Sequence, residues 1–467
     1  MADHEVLIDK IKIQYVNTEA GIAALTTEND ELFWVKENNT LWIGKNGIAI
    51  PIMIKVENVI GGGGTPGTDI AMNTDAFGRL RVSQLTTLAD IKQTDGNSDI
   101  IVDKVAGGTG GYVWNSTDSS TTISVPTISD YVVHQTKQYY NYQSGKSFLI
   151  MFTFYDFHSE AGIVKRMGYF TSSTVAPYNT GLDGLFLESD DTGISVNIYK
   201  GGTLIEKTHQ TSWDASQIEE AFRITSIELA AIDWSKNQII YIDFEWLGVG
   251  TVRWGLVLDG QIKYFHASNH ANVIQGVYMR TPNNPLRWEI RNISSGVGGD
   301  ATYVCATASS EGSTNKIGKV FSENLGIDSI RAQTTGVKYA LMGMRLNATS
   351  NNTVDMLDMT MMTATNDNFY YELWLNPTVS GTFTYSSISD SSIEIAKGAT
   401  NGSNQLSGGA LMASGYSAAK LPSEFIFDNA IRLGRFIDGT RDEFVLSGST
   451  LTTGADMYAS VTWTEIS

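Results

Sequence analysis

The chain has 467 residues, 42% of them hydrophobic, with 10 Trp, 20 Tyr and 18 Phe, enough for sizeable cores, which excludes wholesale disorder. A formal net charge of −18 argues against nucleic acid as the main ligand, because phosphate neutralisation needs an excess of Lys and Arg, and it disfavours an anionic membrane surface. The single cysteine, Cys305, excludes an intrachain disulfide.

The palette is that of short strands and many turns: only 18% charged residues and 45 glycines, with abundant Ser, Thr and Asn. The opening "MADHEVLIDK" has no apolar run of the kind a secretory signal needs, so synthesis in a cytoplasm is expected. The longest apolar run, "SFLIMFTFYDF" (147–157), is too short to span a bilayer, and no membrane insertion is expected.

Residues 1–60 have their own character. "ELFWVKENNTLWIGKNG" (31–47) reads as a hairpin, with β-prone runs at 32–35 and 40–43 around a turn that Asn38 and Asn39 favour. A further strand is expected at 48–56. So few strands make a marginal core, more easily stabilised by trimerising or docking on a partner. "GGGGTPGT" (61–68) cannot hold a regular element cheaply and marks a linker over 61–72. Behind it, "NTDAFGRLRVSQLTTLADIKQ" (73–93) sets Arg79 and Arg81 between the apolar Phe77, Leu80 and Val82. We expect it to pin the body's first strand or to make an interdomain or intersubunit contact through Phe77, Arg79 and Arg81, the arginines pairing with carboxylates.

A first β-domain is expected over 73–300. "SFLIMFTFYDF" has apolar residues on both faces, as a central strand buried on both sides would. "GISVNIYKGGTLIEK" (193–207) reads as strand, turn, strand with Gly201 and Gly202 in the turn. In "IIYIDFEWLGVGTVRWGLVLDG" (239–260), Ile240, Ile242, Phe244 and Trp246 fall on one face and Tyr241, Asp243 and Glu245 on the other. Gly248 and Gly250 suit a bulge or a bend between sheets. The fair helix candidate is 215–222, with Asp214 as N-cap. A second β-domain is expected over 301–467. In it 339–365 looks like two strands around an Asn/Ser turn, 367–377 like a strand closed by Pro377, and "MYASVTWTEIS" like a final strand. The methionines Met342, Met344, Met356, Met359, Met361 and Met362 include pairs spaced by two, as inward-facing strand residues are, and core filling is their expected role. The fold class is therefore all-β: two β-sandwich or jelly-roll-like domains behind a small N-terminal β module.

The search for chemistry returns no catalytic, cofactor-binding or metal-binding residues. "HASNH" (266–270) has an i, i+4 histidine spacing that could bind metal on a helix, but here it lies in strand or loop, where that spacing has no such meaning. The acidic turns "ESDDTG" (188–193) and "TDGNSD" (94–99) do not have calcium-loop spacing. "YNYQSGKS" (140–147) lacks the first glycine of a phosphate loop. Cys305 has no nucleophile signature around it. Aromatics in "YYNY" (139–142), "NFYYELW" (368–374) and "WEI" (288–290) could stack on sugars, against the usual role of such residues in cores and interfaces.

The segment "AFGRLRVS" with "TLADIKQ" resembles a motif of structural proteins of tailed bacteriophages, in which it precedes a β-rich body. In order behind it stand "QTKQYYNYQSGKSFLIMFTF", "KRMGYF", "WLGVGTVRWGLV", "NPLRWEIRN" and the terminal "WTE", so the resemblance covers roughly residue 73 to the C-terminus. The hairpin "ELFWVKENNTLWIGKNG" separately resembles a module near the start of phage fibre proteins, departing from it at Val35, Lys36 and Glu37. The resemblance implies a virion component assembled in the host cytoplasm: a homotrimeric tail or head fibre or appendage protein. Phe33, Trp34, Leu41 and Trp42 would then be anchor or trimer contacts. The implied partners are copies of itself, other virion proteins of tail, portal-proximal region or capsid, and a host surface glycan. The alternatives are a capsid decoration protein or a glycan-binding adhesin. No enzymatic activity is expected.

Overall fold

The computed structural model describes residues 75–76, 84–96, 98–312, 318–427, 432–452 and 454–466, together with the backbone of four strands within 13–55. By backbone proximity it divides into residues 1–73 with 216–223, and residues 74–215 with 224–467. In the first unit Ile13–Val16, Leu32–Val35, Thr40–Lys45 and Ile48–Lys55 form one sheet in that order. The expected hairpin is present, with Leu32 opposite Ile43 and Val35 opposite Thr40. Ile13–Val16, not foreseen, adds in parallel to Leu32–Val35.

The second unit is nearly all β and holds two lobes. The first packs an eight-stranded sheet on a seven-stranded one. The larger sheet is centred on Phe148–Tyr155, which pairs antiparallel with Gln238–Phe244 on one side and Asp300–Glu311 on the other. Its facing sheet is centred on Ile163–Ser172, between Gly181–Asp190 and Leu286–Asn292. Strand periodicity sends Phe148, Ile150, Phe152 and Phe154 inward, where they meet Tyr169, Leu185, Leu187 and Trp288 of the facing sheet. Phe148 and Tyr169 lie 5.4 Å apart between ring centroids, Phe152 meets Trp288 edge-on at 5.4 Å, and Trp288 stacks on Tyr303 at 4.6 Å. Each such buried side chain contributes about 1.5–3 kcal/mol.

The second lobe packs a five-stranded sheet, built on Thr353–Thr363 and Ala455–Ile466, against a six-stranded one. The latter runs Tyr385–Ser387, Ile393–Lys397, Tyr339–Leu346, Glu443–Thr450, Phe369–Leu375, Ala410–Ser417. Its core contains Met342, Met344, Met356, Met359 and Met361, as their spacing predicts. Met362 points outward, 38% exposed, because it follows Met361 on a strand whose faces alternate.

The lobes meet along a hydrogen-bonded seam. Arg435 N–H donates to Lys137 O at 2.8 Å, Ile437 N–H to Asp103 Oδ2 at 2.7 Å, and the Thr353 hydroxyl to Tyr139 O at 3.2 Å. Gly434 permits the approach: a Cβ there would stand 2.7 Å from Lys137 O.

Several local expectations change. Residues 215–222 do not form an α-helix; they hold one 3₁₀ turn, Glu220–Phe222. The Asp214 carbonyl instead accepts from Ala267 N–H of strand Gln261–Ser268. An α-helix lies instead at Ser226–Ala230, started by a capping box in which the Thr225 hydroxyl accepts from Glu228 N–H and the Glu228 carboxylate accepts from Thr225 N–H. Phe148–Tyr155 is central but not buried equally on both sides: Met151, Thr153 and Tyr155 are half-buried. Gly248 and Gly250 do not bend the chain between sheets. They lie in the loop joining Gln238–Phe244 to its sheet neighbour Val252–Leu258, with Gly250 N–H donating to Trp246 O at 2.7 Å. The two strands expected in 339–365 are present as Tyr339–Leu346 and Thr353–Thr363, and they enter opposite sheets. The turn at Gly201 and Gly202 is as expected, both at positive φ, which suits the twist of a two-residue hairpin.

Candidate functional site

Among the described residues three aromatic side chains stand well out into solvent: Tyr112, Trp114 and Tyr416. All three lie on edge strands, Gly111–Asn115 of the eight-stranded sheet and Ala410–Ser417 of the six-stranded sheet.

The second-lobe patch grows from strand alternation. In Phe369–Leu375, Phe369, Tyr371, Leu373 and Leu375 enter the core, leaving Tyr370, Glu372 and Trp374 on the outer face. The neighbouring edge strand sets Tyr416 opposite Tyr370, Ser414 opposite Glu372 and Leu411 opposite Trp374. Residues directly opposite share a face, so these six form one stripe. Tyr416 is 77% exposed, and its ring lies 6.1 Å from that of Tyr370 at 55°. At the other end Lys338 Nζ sits 3.7 Å over the Trp374 ring and 3.2 Å from Glu372. The Trp374 indole N–H donates to Glu372 Oε2 at 3.0 Å. From Tyr370 to Trp374 the stripe runs about 13 Å along the strand. It alternates ring faces with a carboxylate, a hydroxyl and an ammonium, a combination able to stack on apolar sugar faces while bonding their hydroxyls.

The first-lobe patch is smaller. Tyr112 and Trp114 share a face of their strand. Tyr112 packs edge-on against His134 at 4.6 Å, with Lys104 Nζ 5.7 Å from its ring. The Trp114 indole N–H donates to Gln93 O at 2.6 Å.

The sequence candidates scatter. Of "YYNY", Tyr140 and Tyr142 are buried and Tyr139 is half-buried at the seam; Trp288 is in the core. "NFYYELW" divides, Tyr370 and Trp374 outward and Phe369 and Tyr371 inward. Tyr112, Trp114 and Tyr416 were missed, although "GYVWN", with its aromatics spaced by two beside a glycine turn, carries the signal of an edge strand. Phe33 and Trp42, and Trp34 and Leu41, are opposite one another in their hairpin by backbone register. Phe77, Arg79 and Arg81 lie outside the described residues.

The histidines of "HASNH" go to separate partners. His266 Nδ1 accepts from Asp214 N–H at 3.0 Å, so its proton is on Nε2, 2.7 Å from Glu206 Oε1. Burial works to raise the Glu206 carboxyl, but His266 together with the Thr208 and Ser268 hydroxyls outweighs it and holds the group below its usual value. His270 Nδ1 lies 2.7 Å from Gly250 O and its ring stacks on Tyr278 at 4.1 Å. Among the described residues no three His, Cys, Asp or Glu side chains are grouped to hold a metal ion. The Cys305 thiol lies 3.3 Å from the Thr153 hydroxyl.

No protein-family model matches the chain, and no curated protein matches it. Solved structures similar to it include the carbohydrate recognition domain of Emp47p, at 12% identity over 49% of this chain and 98% of that one, with a TM-score of 0.30. A legume lectin-like domain from Entamoeba histolytica matches at 10% identity over 44% and 89%, TM-score 0.25. A carbohydrate esterase from the Shiga toxin-encoding bacteriophage phi24B matches at 12% identity over 49% and 100%, TM-score 0.27. Likeness at this level carries no argument about function.

Proposed function

We propose that this chain is a structural component of a tailed-phage virion, a homotrimeric fibre or appendage whose β-sandwich body contacts a host surface glycan. The virion part rests on the ordered series of motifs from "AFGRLRVS" to the terminal "WTE". The glycan part rests on one observation of geometry: the outer-face stripe from Tyr416 and Tyr370 to Trp374, which sets aromatic rings beside hydrogen-bonding groups on an edge of the second lobe. Exposed rings on a folded strand cost burial they would otherwise gain, and a stacking ligand recovers it.

The glycan part is tested by binding the full chain and its Tyr370→Ala/Tyr416→Ala variant to a panel of bacterial surface glycans. Retention on at least one glycan by the parent, lost in a variant of unchanged melting temperature, is the expected result. No retention on any glycan, or equal retention by both proteins, refutes it. The virion part is tested by antibody labelling of particles in electron micrographs, where unlabelled particles overturn it. A monodisperse monomer in solution overturns the trimer.

A further inference from the structure

The first lobe has an open edge at which both of its sheets end. Val102–Gly107 is the outermost strand of the seven-stranded sheet and Gly111–Asn115 that of the eight-stranded one, joined by a tight turn in which Gly110 N–H donates to Gly107 O at 3.2 Å. An edge strand that faces water ordinarily carries Lys, Glu or Pro, which discourage other chains from docking on it. "GYVWN" carries none of these, and Tyr112, Val113, Trp114 and Asn115 are all exposed, so the strand is bare on both faces. Ile100 and Ile101, just ahead of Val102, are exposed too. Together the five apolar side chains leave about 500 Å² in water, at the upper end of what a monomer shows as one patch and more than half of what each partner buries in a standard interface.

The two rings are held in place. Tyr112 packs edge-on against the buried His134, and the Trp114 indole N–H is bonded to Gln93 O. Gly96 makes room for the indole: a Cβ there would stand 3.0 Å from it. Rings fixed before any contact lose little side-chain entropy on docking. The patch is also uncharged in a chain of net charge −18, and Lys104 and Asp99 beside it neutralise one another in an ion pair at 3.0 Å. Copies of an acidic chain repel one another over most of their surface, and a bare uncharged edge is where they can touch.

We infer that this edge is the body contact between copies of the chain, three such edges converging on the axis of the homotrimer proposed above, a reading that rests on that trimer. The contact is made by side chains and not by strand addition, because pairing Gly111–Asn115 antiparallel with its own copy is a two-fold contact and closes at a dimer. Tyr112 and Trp114 are the anchors, as aromatic side chains are at the centre of most interfaces, and Val113 fills between them from the other face of the strand.

The test is sedimentation velocity of the full chain over a concentration series, in urea below the unfolding transition where dilution alone does not part the copies. Val113 is 68% exposed, so Val113→Asp leaves the fold of one copy intact while setting three carboxylates at the axis. Val113→Asp, and separately Ile100→Asp, should each raise the concentration of half-dissociation about a hundredfold with an unchanged far-ultraviolet circular dichroism spectrum. Val273→Asp should leave it where it is in the parent: Val273 is exposed as well, but follows Gln261–Ser268 at the opposite edge of the same sheet. Added salt should tighten the parent trimer, since it screens the repulsion between acidic copies and leaves an apolar contact untouched. A monomeric or dimeric parent overturns the trimer and this contact together. A trimeric parent whose midpoint is unmoved by Val113→Asp and Ile100→Asp, is moved equally by Val273→Asp, or is raised by salt overturns the contact alone and leaves the trimer standing.

Discussion

Acid should weaken the first lobe through His134 well before its carboxylates titrate. The imidazole is fully buried in strand Tyr131–Thr136, with Nδ1 2.5 Å from the Tyr303 hydroxyl and no partner for Nε2. Burial, helped by nearby Lys104, pushes its pKa down to about 3 from 6.5. Its folded pKa is depressed, so the stability it contributes is complete above 6.5 and is lost as pH falls towards 3, because the unfolded chain takes up a proton that the fold refuses. Each pH unit in that window costs about 1.4 kcal/mol, so lowering pH from 6.5 to 5 should remove about 2 kcal/mol through this residue. His270, also buried and also held below its usual value chiefly by burial, adds in the same direction. The assay is urea unfolding between pH 7 and 5, followed by tryptophan fluorescence, on the parent and on His134→Gln. The variant loses the ring contact with Tyr112 at every pH, which offsets its whole curve. Its slope below pH 6.5 should be shallower by about 1.4 kcal/mol per unit. Identical slopes would mean that the imidazole protonates inside the fold, and the burial argument would fail.

Three further outcomes are expected. Glu289, 2% exposed, accepts from Arg287 Nε at 2.9 Å and Arg166 Nη1 at 3.0 Å, so Glu289→Gln should cost about 3–5 kcal/mol in a denaturant melt, whereas Asp90→Asn, at an exposed pair with Lys92, should change nothing measurable. Burial works to raise the Glu289 carboxyl but the two arginines hold it low, so its contribution is full above about 4.5 and lost only in stronger acid, a window distinct from that of His134. Gly434→Ala should loosen the seam, because the new methyl would sit 2.7 Å from both Lys137 O and Asp442 Oδ2; calorimetry should then show two transitions where the parent has fewer, and an unchanged trace would refute the close-approach argument. Thr225→Ala should remove the capping box at a cost of about 1 kcal/mol or less, read as faster amide exchange at Glu228.

Strand content was legible where period and turn chemistry agreed. Gly201 and Gly202 between two alternating runs specify a two-residue turn whatever lies around them, and the methionines spaced by two name the core face of their strands. Which strands pair was legible only across tight turns. Tyr339–Leu346 and Thr353–Thr363 are neighbours in the chain and lie in opposite sheets, a choice made by long-range packing that no local window contains. The helix shows the same limit at short range. Asp214 is as good a cap residue as Thr225, and what decides between them is that the backbone at Asp214 is already bonded to Ala267 of a strand distant in the chain.

The candidate sites depend on that same information. "NFYYELW" contains four aromatics, and alternation alone says that two face one way and two the other; only the identity of the core-facing set, Phe369 and Tyr371, tells which pair remains for a ligand. Tyr416 becomes part of a site because its strand is an edge in register with Tyr370, and edge position is a property of the whole sheet. Arg435 is further still from sequence reading. As a single arginine in "RLGRF" it carries no motif, and its place at the seam arises from where Gly434 lets the chain approach a backbone carbonyl of the other lobe. The stripe needs only the six-stranded sheet, so it should survive in an isolated second lobe that folds and in any change that parts the seam, Gly434→Ala included.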